Sequence, residues 1–84
     1  MGPKKADVLD PITHDDLIDL ARYYNGNLYK FKEGSYCISN GNYTIYINIY
    51  DRTYLISMLN GPHKFIDIDD LIVKLDNTNL YVYN

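Results

Sequence analysis

The run Tyr36-Cys37-Ile38-Ser39-Asn40-Gly41-Asn42-Tyr43-Thr44-Ile45-Tyr46-Ile47-Asn48-Ile49-Tyr50 decides how this chain folds. Two segments of period-two alternation flank Asn40-Gly41, the pair that most readily takes the two positive φ angles of a type I′ hairpin turn. A two-residue loop there sets Ser39 opposite Asn42, Ile38 opposite Tyr43 and Tyr36 opposite Ile45, so that the apolar side chains share one side of a sheet.

The same reasoning extends outward in both directions. Asp51-Arg52, read as a second two-residue turn, sets Ile49 opposite Tyr54, Ile47 opposite Ile56 and Ile45 opposite Met58. Glu33-Gly34, read as a third, sets Phe31 opposite Tyr36 and Tyr29 opposite Ile38. All three registers put Tyr29, Phe31, Tyr36, Ile38, Tyr43, Ile45, Ile47, Ile49, Tyr54, Ile56 and Met58 on one face. A slip of one residue would exchange the faces, so three agreeing registers specify one partition of side chains between them. Residues 28–58 are therefore expected to form a four-stranded antiparallel meander with one face covered and one open.

The cover comes from two short helices. In Ile12-Thr13-His14-Asp15-Asp16-Leu17, Thr13 is the expected N-cap, Asp16 the acidic member of a capping box, and Ile12 a staple to Leu17. Leu17, Leu20, Ala21 and Tyr24 recur at helical spacing, and Asn25-Gly26 offers a left-handed exit, which gives a helix over about residues 14–25. After the break at Asn60-Gly61-Pro62-His63, the segment Ile66-Asp67-Ile68-Asp69-Asp70-Leu71 repeats the same opening and predicts a second helix over about 68–75. Two convergent cap sequences explain the likeness better than an internal duplication. Asp76-Asn77-Thr78-Asn79 reads as a turn, and residues 80–83 as a last strand on an edge of the sheet. The fold class is α+β, with a flexible arm at residues 1–9 and a single small domain at 10–84.

At 84 residues, 46% hydrophobic and 23% charged, the composition is that of one folded domain with one small core. Cys37 is the only cysteine, so no disulfide is expected to help. The arm has no apolar run of the length that a signal peptide or membrane span needs, and a cytoplasmic location is expected. Ten tyrosines, ten isoleucines and nine asparagines against one glutamate and no glutamine or tryptophan suggest an AT-rich coding genome, of which bacterial viruses are one source. In that case the location is the host cytoplasm.

The catalytic inventory is thin. His14 falls in a first helical turn and His63 beside a proline; the best metal set would be His63 with Asp67, Asp69 or Asp70, which are better read as caps and solvated faces. The Asp67-x-Asp69-Asp70 run lacks the glycine and distal glutamate of a calcium loop. Nothing brings a histidine to Cys37, and the glycines stand singly in turns rather than in a phosphate loop. No catalytic residue, metal or cofactor is expected.

The open sheet face is the better candidate. Lys30, Lys32, Thr44, Tyr46, Asn48, Tyr50 and Leu55 are expected to project from it, and tyrosine is enriched at interfaces. Tyrosine and threonine are also ordinary strand residues on a face that needs no partner. The reading adopted is a small non-enzymatic module that docks on a larger protein as an inhibitor or adaptor, for instance a viral anti-defence or host-takeover factor. A homodimer formed through a sheet edge is compatible with it. Two alternatives use nucleic acid. In one, tyrosines and lysines of the sheet stack bases and hold phosphates, against a sequence pI near 5.0. In the other, Asp15, Asp16, Asp19, Asp67, Asp69 and Asp70 form an acidic face that imitates phosphates, for which a net charge of −3 is small.

Overall fold

The computed structural model describes residues 11–57, 61–78 and 80. The chain runs α1 (His14–Tyr23), β1 (Asn27–Lys32), β2 (Ser35–Ser39), β3 (Thr44–Asn48), β4 (Thr53–Ile56), β5 (His63–Lys64) and α2 (Ile68–Thr78). The strands form one open antiparallel sheet in chain order, β1-β2-β3-β4-β5. This is the expected α+β architecture, with both helices contributing to the core on one face.

α1 begins as its local chemistry dictates. The Asp16 N–H donates to Thr13 Oγ1 at 3.2 Å, and the Thr13 N–H donates back to Asp16 Oδ2 at 2.9 Å. Its exit is left-handed at Asn25, φ 56°, where the Gly26 N–H closes on the Ala21 carbonyl at 2.8 Å. Gly26 is needed for space, because a Cβ there would lie 2.7 Å from Ile38 Cγ2. In α2 the Asp70 N–H donates to Asp67 Oδ1, and the Ile66 N–H donates to Asp70 Oδ2, both at 2.8 Å. The helix continues through Asp76-Asn77-Thr78, the stretch expected to turn. Asp76 accepts from the Tyr24 hydroxyl at 2.6 Å and Thr78 Oγ1 donates to the Lys74 carbonyl at 2.8 Å, contacts that hold this stretch in the helix against its turn preference.

One cluster forms the core: Leu17, Leu20, Ala21 and Tyr24 from α1, Leu71 and Leu75 from α2, and Tyr36, Ile38, Ile45, Ile47, Tyr54 and Ile56 from the sheet, with Tyr43 and Phe65 from loops. Each fully buried aliphatic side chain stabilises the fold by roughly 1.5–3 kcal/mol. The polar atoms at this interface are paired. Tyr24 Oη donates to Asp76 Oδ1 at 2.6 Å, and the Tyr43 hydroxyl donates to the Tyr24 carbonyl, which ties the end of α1 to α2 and to the sheet.

The turns differ from the expected ones in an informative way. Ser39 pairs with Thr44 and Ile38 with Ile45, which leaves a four-residue loop, Asn40–Tyr43, in place of the type I′ pair. Asn40 Oδ1 accepts the N–H groups of Asn42 (2.7 Å) and Tyr43 (3.3 Å), and Gly41 does not take a positive φ. Asn48 does the same in the next loop, accepting from the Tyr50 and Asp51 N–H groups at 2.9 and 2.8 Å. Asn48 therefore pairs with Thr53 and Ile47 with Tyr54. Both displacements are of two residues, so every side chain keeps its face.

β1 departs by one residue, with the opposite result. The two-residue turn at Glu33-Gly34 is present and Lys32 pairs with Ser35, but a bulge at Phe31 makes Lys30 the partner of Tyr36, Tyr29 of Cys37 and Leu28 of Ile38. Tyr29 and Phe31 leave the core face, 51% and 62% exposed, and Leu28 packs against the core in their stead. Lys30, expected on the open face, lies on the helix-bearing side with its Nζ 5.9 Å from the Tyr36 ring centre.

The fifth strand described is β5, where His63 pairs with Tyr54 and Lys64 with Thr53, directly after the Pro62 that marked a break. Proline is compatible with an edge-strand entry, where its missing donor costs no ladder bond. Of the strand expected at 80–83, Leu80 is buried in a short helical turn and the other residues lie outside those described, as does Met58.

Candidate interaction face

Pairing carries two continuous rows of side chains across the open face. One runs Lys32, Ser35, Asn48, Thr53, Lys64 through all five strands. The next runs Tyr29, Cys37, Tyr46, Leu55 through four. Phe31 enters between them, because a bulge leaves two successive side chains on the same side of the sheet. Its ring stacks on that of Tyr46 with centres 6.1 Å apart and planes 25° apart. A shallow groove of about 220 Å³ follows, lined on this face by Phe31, Tyr46, Asn48, Thr53, Leu55 and Pro62.

Cys37, in the row between Tyr29 and Tyr46, is only 5% exposed although no helix among the described residues covers it. Burial pushes its thiol pKa up, which opposes thiolate chemistry.

Among the described residues the strand positions of this face include no carboxylate, and their charged side chains are Lys32 and Lys64. Asp15, Asp16, Asp19, Asp67, Asp69, Asp70 and Asp76 belong to the helices or their entrances. Several are committed there: Asp16 and Asp67 cap, Asp76 accepts from Tyr24, and Asp70 binds Lys74 Nζ at 2.8 Å, which with the Ile66 N–H holds its carboxyl below the ordinary value. At the turn end of the sheet, Glu33 accepts from Lys30 Nζ and from the Tyr50 hydroxyl, each at 3.1 Å, and its pKa is likewise lowered. Tyr50 thereby lies across the β1–β2 turn, over Gly34, rather than within the rows.

Of the expected face residues, Lys32, Thr44, Tyr46, Asn48 and Leu55 stand together on the open side, Tyr50 sits at its end and Lys30 is on the other side. Sequence reading missed Tyr29 and Phe31, which an alternating edge strand with apolar residues in both phases leaves ambiguous, and Lys64, hidden by the two-residue length of β5. Among the described residues no three His, Cys, Asp or Glu side chains converge as metal ligands, and no helix is long and apolar enough to cross a membrane. No protein-family model, curated protein or solved structure matches this chain.

Proposed function

We propose that the protein is a non-enzymatic docking module, an inhibitor or adaptor of a larger protein, and that its open sheet face makes the contact. The observation that carries this reading is the exposed aromatic group of Tyr29, Phe31 and Tyr46 beside Leu55 and the groove. Aromatic side chains on a preformed sheet supply large contact area at small entropic cost, the usual chemistry of interface anchors. A host-takeover factor is one biological setting for such a module. The phosphate-imitating alternative is less favoured, because four of the helix aspartates are engaged in caps and intramolecular bonds. The test is an affinity isolation from lysate with wild-type and Tyr46→Ala baits. A protein retained by the wild type and released by the variant supports the reading; equal retention of every species by both baits rejects it.

A further inference from the structure

The partner's chemistry can be narrowed, on the premise that the open face is the docking surface. We infer that this face takes an extended acidic protein segment with one large apolar anchor side chain. Charge complementarity is the first argument. Among the described residues the strand positions of the face present Lys32 and Lys64 and no carboxylate, while the helix aspartates belong to elements packed on the other face. An anionic segment is attracted to this side and repelled by the other.

The geometry of the row is the second. Lys32 and Lys64 end a row that crosses five strands. Four interstrand spacings come to roughly 19 Å, the span of about six extended residues. Between them Ser35 and Thr53 offer hydroxyl groups to a backbone, and Asn48 its amide N–H groups, its oxygen being engaged by the turn. The groove at Phe31, Tyr46, Leu55 and Pro62, about 220 Å³, is smaller than the roughly 300–1,000 Å³ of small-molecule sites and suits one side chain. The segment is therefore a leucine, phenylalanine or tryptophan flanked on both sides by aspartate or glutamate within about six residues.

Affinity selection from a random-sequence peptide library on the immobilised protein tests this directly, with oligo(dT) as a separate probe. Recovered peptides should carry the acidic–apolar–acidic pattern. Their affinity should fall roughly three- to tenfold for Lys32→Glu/Lys64→Glu and again on raising salt, as exposed charge pairs do. Neutral or basic peptides that Tyr46→Ala nevertheless releases would overturn the acidic partner and leave the docking face standing. Peptides indifferent to Tyr46→Ala, no enrichment at all, or oligo(dT) bound more tightly at this face than any peptide would overturn both. The lysines and Tyr46 are outside the core cluster, and circular dichroism of each variant checks that the fold is retained.

Discussion

Phe31 of β1 stacks on Tyr46 of β3, reaching past the intervening β2 on the face opposite α1 and α2. The contact exists because one extra residue in β1 turns Phe31 outward, and it converts an ordinary polar sheet face into an aromatic one.

Cys37 is the strand partner of Tyr46 and lies in β2, between the two strands that the stack joins, so the rings are expected to shield its thiol. Tyr46→Ala or Phe31→Ala should leave the far-ultraviolet spectrum unchanged and raise the rate at which an aromatic disulfide reagent labels the thiol. The loss of stability should be modest, about 0.5–1.5 kcal/mol for the ring pair. An unchanged labelling rate in both variants would mean that other groups bury the cysteine.

Ile47 is 2% exposed in the centre of the core sheet. Ile47→Ala should cost roughly 2–5 kcal/mol in urea unfolding, a large part of the stability of so small a domain. A change below about 1 kcal/mol would indicate a core that collapses around the void.

Gly34 combines a left-handed φ of 84° with a Tyr50 ring that would lie 2.6 Å from an added Cβ. Gly34→Ala should destabilise by more than about 1 kcal/mol. Adding Tyr50→Ala removes the collision but not the backbone strain, so the double variant should recover only part of the loss.

Asn48→Ala removes the acceptor of two turn N–H groups. These donors are near solvent and can turn to water, so the expected cost is about 1 kcal/mol, with faster hydrogen exchange at Tyr50 and Asp51 as the local signature.

Asp70 and Glu33 both have folded-state pKa values below their ordinary 3.8 and 4.5. A depressed carboxyl contributes stability that is fully present above the ordinary value and is lost as pH falls through the folded one. Thermal melting should therefore be flat in this respect at neutral pH and decline below about pH 4, and Asp70→Asn should flatten that decline.

Much of this fold was legible because its signals are local or tolerant of error. The Thr13–Asp16 box lies within four residues, and its partners are fixed by helix geometry alone. The loops after Ser39 and Asn48 are each two residues longer than their sequences predict, yet Ile45, Ile47, Tyr54 and Ile56 keep the expected face because a shift of two preserves parity. Phe31 had no such protection. Leu28 and Lys30 compete with Tyr29 and Phe31 for the inner side of an edge strand, and no local pattern decides which phase packs on α1. The candidate face inherited that uncertainty, since its strongest aromatic pair depends on a tertiary choice. Lys64 entered it through long-range pairing with Thr53, beyond the reach of periodicity.

The bulge also acts at the rim of the molecule. β1 is an outer strand of the described sheet, and an added strand would need an even ladder of unpaired N–H and C=O groups along it; the extra residue at Phe31 interrupts that ladder just before Lys32 and limits the even run to Asn27–Lys30. Among the described residues the strand at the opposite side of the sheet, β5, presents two residues, a short template for a neighbour. A neighbouring strand would thus find an even ladder along only part of β1, and the residue that turns an aromatic ring onto the open face is also the one that shortens that ladder.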